Sequence, residues 1–215
     1  MPDYEILEWN ESNFDLNCCP YVSEAYERRK FAFVSDYARG HALMLQGGVY
    51  LDTDVEVVGR FDRFLSHRSF WGFEAENYVA TSTIGCVAGH EILAEYLSQY
   101  GQRRFILPDG SLDLTTNVVV MNRILERRGL VLDGQEQPFG QGDQCYPMSV
   151  FSPYDYLRSE DHRNGDTVAI HRFQHTWGSP AGRCRRTFVR ALTAIAARSG
   201  LGRLFNRVRG LKSRP

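Results

Sequence analysis

The sequence lacks any long apolar run. In its 215 residues, no stretch approaches the ~18 consecutive apolar residues that a membrane-spanning helix requires. The first residues, MPDYEILEWNES, are acidic and aromatic and have no basic start, apolar stretch or cleavage site, so no signal peptide is predicted. Because its hydrophobic fraction of 43% and charged fraction of 24% are ordinary for a soluble domain, we predict a cytoplasmic protein.

Cysteine is also sparse. The chain has five cysteines, of which Cys18 and Cys19 are adjacent and the others are isolated. An odd number without paired spacing fits neither a disulfide framework nor a pair of zinc knuckles. The cysteines are therefore predicted to be reduced and structural.

The C-terminal segment has no acidic residue. From Ala181 onward there are ten Lys or Arg and no Asp or Glu, whereas the residues before it include 15 basic and 26 acidic side chains. The acidic body argues against nucleic acid as a partner and suits a carboxylate site for a cation. We therefore predict a domain over 1–180 and a basic tail over 181–215.

The tail has apolar residues at roughly helical spacing among its arginines, which predicts one or two amphipathic helices. One interpretation is a peripheral anchor on anionic lipid at the inner face of the membrane. The other is a helix packed on the acidic body, with its arginines solvated or paired.

Hydrophobic periodicity predicts alternating strands and helices, and hence an α/β fold with a mixed sheet. The expected helical segments lie over 21–46, 90–100 and 115–128. The first of them is expected to divide near 33–35, with Ser35 as an N-cap, and to end at Gly47-Gly48. The expected strands lie over 4–9, 49–58, 130–132, 150–151 and 168–170, and the segments 69–73 and 79–87 are expected to be strands or loops.

Asp52 and Asp54 lie two residues apart at the end of an apolar strand. In extended backbone both carboxylates lie on one face, roughly 6–7 Å apart. Mg²⁺ or Mn²⁺ takes oxygen ligands from one or two carboxylates and from substrate phosphates. A bare Asp-x-Asp is more often a solvated turn, so the neighbouring residues decide its meaning.

The string SDYARGHALMLQGGVYLDTDVEV joins Asp36 and Arg39 on a helix to a glycine turn, a strand and the acidic pair. It resembles the sugar-binding region of GT-A glycosyltransferases of the family 32 type. That family includes initiating α-mannosyltransferases, capsular-polysaccharide transferases and clostridial glucosylating toxins. Its pattern is S-D-x-x-R followed by G-G-x-Y-x-D-x-D, and every letter is present here. The resemblance implies a GT-A-like mixed sheet flanked by helices.

The resemblance also implies residue roles. Asp52 and Asp54 would bind the metal and the donor, and Asp36 and Arg39 would contact the donor's sugar or ribose. Residues three apart on a helix share a face, where an Asp beside an Arg suits sugar hydroxyls, although a surface ion pair is the default without the motif. Tyr50 alternates onto the face of the aspartates and would line the site, unless it belongs to the core.

A second segment, AIHRFQHTWGSP, resembles the family's closing A-I-H-x-x-x-x-S-W pattern. His171 would complete the metal shell or touch the diphosphate. Thr176, in place of Ser, and Trp177 would hydrogen-bond the leaving phosphate, as a closing flap does. His171 and His175 also have the spacing of a zinc pair, but no cysteine or acidic partner has the matching spacing, so zinc is disfavoured.

Three weaker features complete the resemblance. DLTTNVVVMNRIL resembles a T-G-P-x-x-x-T helix start and would place Asn117 at or near the sugar, whereas His90 in TSTIGCVAGHEIL is interpreted as a helix cap or core residue. Family members usually open with a strand and a helix before the segment found here at 2–10. The expectation is that this chain lacks that first β-α unit and part of the nucleotide pocket.

The leading prediction is a retaining, metal-dependent hexosyltransferase that uses Mn²⁺ or Mg²⁺ and a UDP- or GDP-sugar. Its acceptor would be a polysaccharide, a glycolipid or another molecule. Two alternatives stay open: a nucleotide-sugar-binding remnant without turnover, and a haloacid-dehalogenase-type phosphohydrolase, whose first Asp is a nucleophile. The second is disfavoured because the motif follows a strand and long helices, and because lysine is nearly absent.

Overall fold

The fold is described by a computed structural model, which covers residues 3–75, 77–155 and 160–173. The described helices are α1 (Pro20–Glu27), α2 (Phe31–Gln46), α3 (Glu91–Gly101), α4 (Asn117–Arg127) and α5 (Met148–Phe151), with a 3-10 turn at Asp62–Phe64. The described strands are β1 (Gly48–Leu51), β2 (Val55–Val57), β3 (Ser69–Ala75), β4 (Tyr78–Val79), β5 (Thr83–Cys86), β6 (Gln137–Phe139), β7 (Asp143–Tyr146), β8 (Tyr154–Asp155), β9 (Glu160–Asp161) and β10 (Ala169–His171).

A mixed sheet lies at the centre of the fold. Its strand order is β1-β5-β3-β7-β6, with β4 paired to β3. The pairing of β3 with β7 is parallel, whereas β1 with β5, β5 with β3 and β6 with β7 are antiparallel. Two ribbons stand apart from this sheet, β2 with β10 and β8 with β9. The predicted α/β class with a mixed sheet is therefore confirmed.

Helical segments cover both faces of the sheet. Because successive side chains of β3 point to opposite faces, this strand contributes to a core on each side. Trp71 and Phe73 face a core that α1 to α4 complete. Phe70 faces a second core with the 3-10 turn, α5 and β10. At Gly72 the packing is close, since a Cβ there would lie 2.6 Å from Phe151 Cδ2.

The two predicted helices over 21–46 are confirmed, but they divide earlier than expected. The chain leaves α1 at Arg28 and passes through Arg29, whose φ is 56°. Ser35 lies inside α2, where its hydroxyl donates to the Ala32 carbonyl at 2.8 Å. The N-cap prediction for Ser35 is therefore wrong, because a left-handed residue had already ended α1.

Three of the predicted strands do not form. Residues 4–9 form no strand, and Ile6 is 88% exposed. Residues 130–132 also form none, because the Val131 N–H bonds the Gln137 side chain at 2.9 Å instead of another strand. Residues 150–151 belong to α5.

The predicted single strand over 49–58 is two strands, β1 and β2. Between them, the Val55 N–H donates to the Asp52 carbonyl at 3.0 Å, which makes a tight turn over Asp52 to Asp54. After this turn β2 lies outside the central sheet and pairs with β10. This turn, and not a continuous strand, positions the acidic pair.

Candidate functional site

The acidic pair and a distant histidine converge in the turn after β1. Asp52, Asp54 and His171 offer ligand atoms that all lie within 4.8 Å of one another. The pairing of β2 with β10 sets His171 opposite Val55, and its Nε2 lies 3.4 Å from Asp54 Oδ1. The Asp52 and Asp54 side chains remain 25% and 20% exposed, so solvent and ligands reach the cluster.

The donor set fits a hard divalent cation. Two carboxylates and an imidazole are ligands that Mn²⁺ accepts, and Mg²⁺ takes the carboxylates together with phosphate oxygens. Metal–oxygen bonds of about 2.0–2.1 Å in an octahedron place neighbouring ligand atoms about 3 Å apart. The ligand atoms of Asp52, Asp54 and His171 all lie within 4.8 Å of one another, which is near that spacing.

Arg39 joins the helix motif to the acidic pair. It lies on α2, 7% exposed, with its guanidinium nitrogens 3.1 Å from both Asp36 Oδ1 and Asp52 Oδ1. It also donates to the Thr81 carbonyl at 2.7 Å. Burial lowers the pKa of Arg39, but the nearby Tyr50, Asp52 and Asp36 raise the pKa by a larger amount. The side chain is therefore a permanent buried cation.

Asp36 lies between this cation and the start of α4. Burial raises its pKa to about 6, against the opposing effects of Arg39 and of a hydrogen bond from the Asn117 backbone N–H. A helix N-terminus favours a carboxylate, since its first N–H groups lack helical partners. The Asn117 side chain donates to Thr81 Oγ1 at 2.9 Å and so joins the same buried network.

Tyr50 holds the first aspartate of the pair. Its hydroxyl donates to Asp52 Oδ1 at 2.7 Å, and its ring packs under the Arg39 guanidinium, 4.9 Å from centroid to Cζ. Burial raises the pKa of Tyr50, so its hydroxyl keeps its proton and remains a donor. Together with the Asp52 N–H bond to Ser82 O at 2.9 Å, these contacts fix Asp52 in place.

Glu74 was missed by the sequence reasoning. Its Oε1 accepts from His171 Nδ1 at 2.7 Å. Burial lowers the pKa of His171, but the bond to Glu74 and the nearby Asp54 and Asp52 carboxylates outweigh it and raise the pKa. The available signal was a lone acidic residue in the apolar string SFWGFEA, on the same strand face as Phe70 by period two.

His90 belongs to a second cluster, with Glu91 and Asp143. Its Nδ1 accepts from the Ile92 N–H at 3.2 Å, and its Nε2 lies 2.8 Å from Asp143 Oδ1. Both ring nitrogens are therefore in use within the protein. The predicted helix-cap role of His90 is confirmed, and the same bonds hold β7 against the start of α3.

An open cavity of about 380 Å³ lies between α4 and the turn that follows β3. Its wall includes Asn77, Val118, Arg123 and Glu126. Val118 follows Asn117 directly in the chain, so α4 contributes both to this cavity and to the buried network around Arg39.

One of three comparisons with known proteins found a match, and it covers the N-terminal third of the chain. Residues 1–71 match the family model described as a glycosyltransferase sugar-binding region containing a DXD motif. This match supports a glycosyltransferase family. The matched segment includes Asp36, Arg39, Tyr50 and the Asp52/Asp54 pair, and it ends before Glu74 and His171. Searches of curated proteins and of solved structures found no match.

Part of the predicted site lies outside the described residues. Thr176, Trp177 and His175 fall there, as does the basic tail over 181–215, so their roles stay predictions. Across the described ranges, none of the helices has the length and apolar character needed to cross a bilayer.

Proposed function

We propose that this chain is a metal-dependent, retaining glycosyltransferase of the GT-A kind, which moves a sugar from a UDP- or GDP-sugar to an acceptor. The observation that carries the proposal is the convergence of Asp52, Asp54 and His171 within 4.8 Å. Asp54 and His171 are 117 positions apart in the sequence. The family match over 1–71 supports the same activity.

In this proposal Asp52, Asp54 and His171 hold Mn²⁺ or Mg²⁺. The bound metal would supply charge neutralisation for the departing nucleoside diphosphate. Arg39 and Tyr50 fix the orientation of Asp52 through the 3.1 Å and 2.7 Å contacts, and this would hold its carboxylate ready for the metal. A preset site of this kind avoids reorganisation during the reaction.

Donor recognition is assigned to the buried network and to the segment after β10. Asp36 and Arg39 would orient the donor's sugar or ribose, with Asn117 beside them at the start of α4. Thr176 and Trp177 would hydrogen-bond the leaving phosphate. No side chain is needed as general base, because the leaving phosphate oxygen can take the proton of the acceptor hydroxyl.

We place the acceptor in the cavity between α4 and the turn after β3. This cavity is open to solvent, and its amide, guanidinium and carboxylate side chains are of the kind that bind hydroxyl groups. A polysaccharide or glycolipid would fit this role. The ten basic residues of the tail support a cytoplasmic enzyme that lies at the inner face of the membrane.

The test is hydrolysis of UDP- and GDP-sugars in Mn²⁺ or in EDTA, for the intact chain and for Asp52→Asn/Asp54→Asn. Metal-dependent sugar release that the double substitution abolishes is the expected result. Nucleotide-sugar binding without release in any metal would indicate a non-catalytic remnant. The proposal would be overturned if the chain neither bound a nucleotide-sugar nor released its sugar.

The phosphohydrolase alternative has less structural support. Asp52 follows β1, an edge strand that pairs antiparallel with β5. The Asp52 carboxylate that would attack a phosphate instead accepts the Tyr50 hydroxyl and faces Arg39. Release of phosphate from phosphate monoesters in the same assay would favour this alternative.

A further inference from the structure

His171 has a fixed ring orientation before any metal binds. Its Nδ1 donates to Glu74 Oε1 at 2.7 Å, so the proton of a neutral ring lies on Nδ1. The other nitrogen, Nε2, then faces Asp54 Oδ1 at 3.4 Å, inside the cluster of ligand atoms. A carboxylate on the far nitrogen is the arrangement that orients a metal-binding imidazole and raises its basicity as a ligand.

Glu74 is held in this position by the fold. It lies near the end of β3, a strand paired on both sides in the central sheet, and its side chain is only 13% exposed. His171 lies in β10, which pairs with β2 outside that sheet. The Glu74–His171 bond is therefore a side-chain link between the central sheet and the ribbon that carries the third ligand.

We propose that Glu74 is a positioning residue for the metal site, acting through His171 to set the affinity for the divalent cation. The inference rests on the proposed function, since it assumes that Asp52, Asp54 and His171 bind the metal. Glu74 makes the imidazole a ready Nε2 ligand, and it ties metal binding to the side-chain bond between β3 and β10.

The test is a titration of the full chain with Mn²⁺, with and without UDP or GDP. The electron paramagnetic resonance signal of free Mn²⁺ measures how much of the metal is bound. Loss of an outer-shell partner of a metal-bound histidine typically weakens affinity 10–100-fold. We expect Glu74→Ala to show a loss of this size. Glu74→Gln, which keeps an acceptor oxygen but not the charge, should lie between Glu74→Ala and the parent chain.

Glu56→Ala is the matched control. Glu56 lies in β2, and its carboxylate pairs with Arg172, the neighbour of His171, at the surface. This substitution removes a carboxylate and an ion pair from the same ribbon without touching the His171 ring. Its Mn²⁺ affinity should stay close to that of the parent chain, and thermal melting should show that all variants are folded.

A double-mutant cycle separates positioning from direct ligation. If Glu74 acts through His171, then adding Glu74→Ala to His171→Ala should weaken Mn²⁺ binding no further. Additive losses would overturn the inference, and so would parent-like affinity in Glu74→Ala. Absence of Mn²⁺ binding in the parent chain, or binding that survives Asp52→Asn/Asp54→Asn, would instead contradict the proposed function.

Discussion

Arg39 is the residue whose removal should change the site most. Arg39→Met keeps much of the side-chain volume but leaves Asp36 and Asp52 facing each other without the cation that lies 3.1 Å from each. Breaking a buried ion pair by removing one partner costs about 3–5 kcal/mol. For a chain of this size that corresponds to a fall in Tm of roughly 6–20 °C.

The loss should depend on pH in a direction set by Asp36. The pKa of Asp36 is already raised to about 6 by burial, and loss of the guanidinium raises it further. Between the ordinary Asp pKa and the raised pKa of Asp36, the folded Arg39→Met chain therefore holds a proton on Asp36 that the unfolded chain has lost. Its stability should rise as the pH falls from 8 towards 5, since protonation removes the uncompensated charge.

The assay is thermal and urea unfolding of the two chains at pH 5 and pH 8. Arg172→Met is the control, because its partner Glu56 is exposed and such pairs contribute about 0–1 kcal/mol. Asp36→Asn in the Arg39→Met background should restore part of the stability at pH 8. Parent-like melting of Arg39→Met, or a larger loss at pH 5 than at pH 8, would refute the buried-pair reasoning.

Two further substitutions test the site and the core. Tyr50→Phe removes the 2.7 Å bond to Asp52, and loss of a hydrogen bond to a charged group costs about 1.5–3 kcal/mol, so the Tm should fall by roughly 3–12 °C. Because Asp52 also loses a contact that fixes its orientation, kcat/KM for donor hydrolysis should fall as well, and an unchanged kcat/KM would show that Asp52 needs no such support. Gly72→Ala places a Cβ 2.6 Å from Phe151 and should destabilise by about 1–3 kcal/mol in urea unfolding, whereas Gly165→Ala, with nothing within 4 Å, should not; equal stabilities would contradict the tight packing under β3.

The local parts of the site were predictable because they depend on short-range geometry. Asp36 and Arg39 were expected on one helix face, and their side chains form an ion pair at 3.1 Å. The glycine turn was expected at the end of the helix, and Gly47 caps α2 with a φ of 66°. These features follow from helical period and from the freedom of glycine, which nearby residues determine.

The prediction for the acidic pair was right about the neighbourhood but wrong about its geometry. Extended backbone was expected to set the two carboxylates side by side, whereas a turn over Asp52 to Asp54 does so. The difference arises because β2 pairs with β10 outside the central sheet, and β10 lies more than a hundred positions away in the sequence. Local apolar pattern carries no information about such a partner.

The sequence by itself determined the α/β alternation, the Asp36–Arg39 face and the presence of an acidic pair after a strand. Tertiary structure alone decided that His171 meets Asp54, that Arg39 reaches Asp52, and that Glu74 holds His171. The central strand β7, parallel to β3, was likewise missed. The physical reason is that helix period and turn chemistry are local, whereas strand pairing depends on which distant segments together bury the most apolar surface.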